Sequence, residues 1–142
     1  MYLMDIERGK PRPVTSENHR GLGPVSTDGR RFIARGPDGR PEICLIEGGE
    51  PTPLTGLEPG EVIAGWTADD RALYVQGRGG PGARIDRLDL ATGHRELWRE
   101  ILPSDSTGVI RTSSVLISPD GTFYAYAYSR VLSNLFLVEG LK

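Results

Sequence analysis

The segment Gly77-Arg78-Gly79-Gly80-Pro81-Gly82 has the glycine density of a phosphate-binding loop. Such loops work because a helix follows them and aims its first N–H groups at the anion. Here β-forming residues stand on both sides, so the segment is read as a connection between strands. Asp28, Asp38 and Asp120 carry carboxylates that could hold a cation, but each lies in its own Asp-Gly turn, without the dense oxygen-ligand spacing of a calcium loop. Turn formation is their expected work. His19 and His94 are the only histidines, and neither has a cysteine or second histidine at ligand spacing, so no structural metal site and no cofactor is expected. Ser104, Ser113 and Ser114 lack a Gly-x-Ser-x-Gly elbow and read as loop and strand serines. Cys44, between Ile43 and Leu45, reads as a small buried hydrophobe. Trp66 and Trp98 occupy strand positions, where packing is the expected role rather than ligand stacking.

The elements around these residues repeat. A small residue, an aspartate turn and a run of β-formers recur as Val25 to Ala34, Gly65 to Val75 and Ile117 to Tyr126. Between them recurs a strand that ends at a glycine: Tyr2 to Gly9, Ile43 to Gly49, Ile85 to Gly93 and Leu135 to Gly140. A period of about 40 to 50 residues with four short strands is the pattern of a propeller blade. The innermost strands are expected at Gly23 to Ser26, Val62 to Trp66 and Val115 to Ser118. Second strands follow at Arg31 to Arg35, Ala72 to Gln76 and Thr122 to Tyr128. Fourth strands fall at Pro11 to Thr15, Pro51 to Thr55 and Arg95 to Arg99, where proline suits an outer edge.

The expected fold is therefore all-β: a partial β-propeller of about three four-stranded antiparallel blades, either an open arc, a segment, or a protomer closing by oligomerisation. Residues 1–15 supply the outer two strands of an incomplete blade; 16–56 and 57–102 are blades; 103–142 is a three-stranded C-terminal blade. The segment Pro11 to Thr15 could supply the missing fourth strand of the last blade, either within a ring or in a neighbouring copy; reciprocal exchange between two copies would give about six blades and leave the strand around Met4 over. A segment of a longer propeller explains the same offset and is the preferred reading. A stable piece without its own function is the blandest one.

The formal net charge of −2, with acids and bases interspersed, provides no basic stripe for phosphates, which argues against nucleic acid. No apolar run reaches the length of a membrane span, and Asp5, Glu7 and Arg8 interrupt any signal-like segment. The chain is expected to be soluble, its compartment unassigned, and a parent protein could be exported.

With the repeats in view, the chain resembles the WD-like repeats of the TolB-like propeller family. Ser118-Pro119-Asp120-Gly121 carries the resemblance, with degenerate copies at Ser26-Thr27-Asp28-Gly29 and Thr67-Ala68-Asp69-Asp70, and an Ala91-Thr92-Gly93 turn after a third strand. The tail Tyr126 to Lys142 is similar to the C-terminus of propellers fused behind bacterial serine/threonine kinase domains, although no kinase signature is present. The second copy departs from the family pattern, with Asp70 in place of glycine. The resemblance implies a non-catalytic binding or scaffold module that recognises a protein, peptide or small ligand. The alternative is the propeller portion of an enzyme, as a gate for a prolyl-oligopeptidase-like hydrolase or as a lyase or hydrolase using its own channel.

The loops from fourth to first strand and from second to third strand emerge on one face of a propeller, and loops on a rigid scaffold are where function concentrates. Here they carry the candidate binding residues His19, Arg20, Glu58, Glu61, Arg78, Arg84, Asp105, Arg130 and Asn134.

Overall fold

A computed structural model describes residues 1–7, 9–77, 79–134, 136 and 139–140. The described residues form β1 (Tyr2–Leu3), β2 (Arg12–Pro13), β3 (Arg20–Val25), β4 (Arg31–Arg35), β5 (Pro41–Leu45) and β6 (Thr52–Pro53). These are followed by β7 (Val62–Trp66), β8 (Ala72–Gln76), β9 (Ala83–Asp89), β10 (Arg95–Ile101), β11 (Val109–Ile117) and β12 (Tyr124–Arg130). Two complete four-stranded antiparallel meanders, β3-β4-β5-β6 and β7-β8-β9-β10, stand between the two-stranded sheets β1-β2 and β11-β12. The first strands β3, β7 and β11 neighbour one another, with β7 in the middle, so the sheets radiate from a common edge. This is the partial propeller that the repeats imply.

β2 and β6 are two residues long because proline withdraws N–H donors at Pro11 and Pro13 and at Pro51 and Pro53. Two inner strands begin earlier than the sequence suggests, β3 at Arg20 rather than Gly23 and β11 at Val109 rather than Val115. Bulges make this possible. In β11 the register shifts between Ser113 and Leu116, with Ser114 at φ 52, so Thr112 and Val115 both turn inward although they are three residues apart. β12, by contrast, begins later, at Tyr124 rather than Thr122. The expected third strand of the last sheet falls on Leu135, Leu137 and Val138, which lie outside the described residues.

Alternation along the second strands sends side chains to both sheet faces, and each inter-sheet seam is a separate apolar cluster. Phe32, Ala34 and Cys44 meet Val14 and Leu3 on the N-terminal side. Ile33 and Leu54 meet Trp66, Leu73, Val75 and Leu88 between the two complete sheets. Tyr74, Ala83, Ile85 and Ile101 meet Val115 and Ile117 on the far side, where the Trp98 ring lies tilted 5.0 Å from Tyr74 and edge-on 6.3 Å from Tyr124.

The turn after each first strand is built by one local device. Ser26 Oγ donates to Asp28 Oδ1 at 2.6 Å and accepts from Arg31 N at 2.8 Å; Thr67 does the same with Asp69 (2.6 Å) and Ala72 (3.1 Å). Ser118 repeats it with Asp120 (2.6 Å) and Phe123 (2.9 Å). The hydroxyl in each case, helped by a backbone N–H two residues on, holds the aspartate below its usual pKa, and Asp120 falls to about 2. A lowered carboxyl pKa contributes stability above the unfolded value of 3.8 that is lost as pH falls through the folded value. Urea midpoints are therefore expected to decline between about pH 4 and pH 2. Ser118→Ala should be less stable at pH 5, and the gap to the parent protein should narrow by pH 2. A constant gap across that window would show that the hydroxyl acts only on the backbone.

Candidate functional site

Each connection that enters a sheet from the outside makes a polar side-chain contact with that sheet. Before β3, His19 Nε2 lies 2.9 Å from Glu42 Oε2 on β5. Before β7, Glu61 takes a two-pronged contact from Arg95 at the start of β10, with Nη2 to Oε1 at 2.6 Å and Nη1 to Oε2 at 3.2 Å. Before β11, Asp105 accepts from Arg130 Nη1 at 3.0 Å, at the end of β12. Val14 and Leu54 anchor the starts of the first two connections in the core, and the polar contacts hold the rest of their paths against the sheet.

The middle clamp is the most developed. Arg95 Nη2 also donates to Asp86 Oδ2 at 3.1 Å, and Arg84 Nε donates to Asp86 Oδ1 at 3.0 Å, giving the chain Glu61, Arg95, Asp86, Arg84. The hydrogen bonds that Arg95 donates to Glu61 raise its pKa above the usual value, against the opposing effect of burial. Gly56, at φ +83, lets the connection lie directly on Leu88; a Cβ there would come 2.9 Å from Leu88 Cδ1. Beside the network opens a cavity of about 770 Å³ lined by Glu58, Pro59, Glu61, Gly77, Arg84, Asp86 and Arg95.

A second hollow, of about 910 Å³, runs along the inner strands from Gly21–Pro24 to Val62–Ala64 and shares Glu58, Pro59 and Glu61 with the first. Its lining includes one exposed apolar side chain from each first strand: Leu22 (72% exposed), Val62 (59%) and Leu116 (66%). Arg35 and Arg40 lie on its border.

Of the residues proposed from sequence, Glu58, Glu61 and Arg84 converge on one cavity. His19 is almost wholly buried against Glu42, and Asp105 and Arg130 pair with each other. Thr107, through its N–H, and then Arg130 hold the Asp105 carboxyl below its ordinary range. Arg20 is exposed at the start of β3, Asn134 is exposed outside the strands, and Arg78 lies outside the described residues. Asp86, Arg95 and the three apolar groove residues were not singled out by sequence reasoning. A charge in the middle of an apolar strand, as at Ile85-Asp86-Arg87-Leu88, was the available signal for Asp86. The glycine-rich segment serves the fold: Gly80 O and Pro81 O accept from Thr112 N and Oγ1 at 2.8 and 2.9 Å, docking it onto β11.

No helix among the described residues is long and apolar enough to cross a membrane. No protein-family model and no curated protein sequence matches the chain. Among solved structures, it is similar to the crystal structure of TolB from Acinetobacter baumannii, at 22% identity and a TM-score of 0.60 over 94% of this chain. The chain spans 33% of the length of that structure. The likeness shows a TolB-like β-propeller fold.

Proposed function

We propose that this chain is a non-catalytic binding module whose inner-strand groove takes up an extended, partly apolar stretch of a partner protein or peptide. The observation that carries this reading is the strip Leu22, Val62 and Leu116, each exposed and each on a different first strand, along one groove of about 910 Å³. A strand at the edge of a sheet has no structural need for an exposed leucine or valine, and apolar side chains grouped in a concave surface mark a contact site. The charged border of Glu58, Arg35 and Arg40 would set register and orientation through polar contacts at the rim.

Peptides selected by display against the parent protein test this directly. Leu22→Asp and Val62→Asp are surface changes, and each is expected to weaken a selected peptide by about tenfold or more, the equivalent of about 1.4 kcal/mol. Leu97→Asp, half-exposed on the outer strand β10, serves as the control and should leave binding unchanged. Peptides that bind the groove variants as tightly as the parent would overturn the assignment.

A further inference from the structure

We propose that His19, Glu42 and Cys44 form a site for one divalent transition-metal ion of the zinc or cobalt class. One donor atom from each residue, an imidazole nitrogen, a carboxylate oxygen and the thiol sulfur, lies within 4.8 Å of the other two. Glu42 and Cys44 are alternate residues of β5, so the pleat places both side chains on one face. His19 descends onto that face from the connection before β3 and brings Nε2 to 2.9 Å from Glu42 Oε2. Around a tetrahedral ion with bonds of about 2.0–2.3 Å, neighbouring donors stand roughly 3.3–3.7 Å apart, so the imidazole and carboxylate must part by a few tenths of an ångström and the widest pair must close by about 1 Å to hold the metal.

Three further features fit a metal site. The other ring nitrogen, Nδ1, lies 3.3 Å from Ser16 O and 3.2 Å from Ser16 Oγ. With a metal bound, Nδ1–H can donate to the Ser16 carbonyl while Nε2, now without the proton it shares with Glu42, turns its lone pair to the ion, the usual second contact of a metal-bound histidine. Gly36 makes room for the carboxylate, because any side chain there would overlap Glu42. The His19 side chain is 3% exposed and Cys44 1%, whereas Glu42 is 19% exposed, so the cluster is closed toward the core and open on one side. That open side leaves a fourth position for water or an external ligand.

The charges also balance. A carboxylate and a thiolate together neutralise a 2+ ion; the thiol proton leaves to solvent and no redox change occurs. A thiolate with an imidazole selects zinc-like ions over magnesium or calcium, which take oxygen ligands. The bound ion would fasten the connection before β3 to the middle of its own sheet, beside the N-terminal strands.

Cys44 is the only cysteine, so a thiolate-to-cobalt charge-transfer absorption can report no other residue. Titrating the reduced, untagged protein with Co2+ is expected to develop that band to saturation at one ion per chain, with displacement by one equivalent of Zn2+. His19→Asn and Glu42→Gln leave the thiol in place, and each should weaken Co2+ binding by about tenfold or more. Cys44→Ala should abolish the band. A folded protein that shows no such band at saturating Co2+, or a band equally strong in His19→Asn and Glu42→Gln, would refute the site. Because those two variants keep Cys44, the test stands even if Cys44→Ala fails to fold.

Discussion

Arg95→Ala is expected to lower folding stability by about 3–5 kcal/mol at neutral pH, the usual cost of stranding charges that a buried partner had neutralised. The side chains of Glu61 and Asp86 are only 6% and 14% exposed, so without the guanidinium two carboxylates would face each other largely out of water. Arg95→Lys should recover only part of the loss, because one ammonium cannot reproduce the two-pronged contact with Glu61 and reach Asp86 as well. The triple replacement Arg95→Met, Glu61→Gln, Asp86→Asn should come close to the parent, since a buried ionic network seldom outperforms a neutral one of the same shape. Arg95 Nε is already buried without a hydrogen-bond partner among the described residues, which lowers what the network contributes. Urea denaturation of the four proteins at pH 5 and 7 decides the matter. A single variant within 1 kcal/mol of the parent would mean that water reaches Glu61 and Asp86.

That clamp also shows where reading the sequence stops. The hydroxyl and aspartate turns were legible because every partner lies within five residues, and the bounds of β4, β7 and β8 followed from turn spacing alone. Glu61 and Arg95 are 34 residues apart, and His19 and Glu42 are 23 apart; neither pair follows the period of a strand or a turn. Both arise only when a connection folds back over a sheet that has already formed. The sequence therefore indicates which face carries charge, but not that much of this charge is engaged internally. The apolar groove was hidden for a different reason. Inner strands were expected to be small, and Leu22, Val62 and Leu116 stood out only once the edges of the sheets were known.

Asp70→Ala should cost about 2–4 kcal/mol, and Asp70→Gly measurably less. The first and third copies of the turn place Gly29 and Gly121 in the left-handed region, at φ 70 and φ 71; the second places Asp70 there, at φ 55. An aspartate tolerates that conformation better than most residues but still bears a cost that glycine avoids. The compensation lies in the neighbouring sheet. The Asp70 carboxylate accepts from Thr27 N at 2.7 Å and from Asp28 N at 3.0 Å, two donors at the tip of the preceding turn. Asp70 O accepts from Arg31 Nη2 at 2.8 Å, Arg31 lies 4.8 Å over the Trp66 ring, and Trp66 Nε1 donates to Pro24 O at 2.9 Å. The departure from the repeat is thus a staple between sheets. Alanine loses both charge-assisted bonds and keeps the strain; glycine loses the bonds but sheds the strain; asparagine keeps one acceptor and should lose least. In a repeat array, stability is a sum of terms within units and terms between neighbours, and this staple belongs to the second kind. Amide exchange in Asp70→Ala should accordingly accelerate in the turn at Ser26–Arg31 more than in the Thr67–Ala72 turn, whose internal bonds are untouched. If Asp70→Gly matches or exceeds the parent in urea, the carboxylate does no more than repay its own backbone.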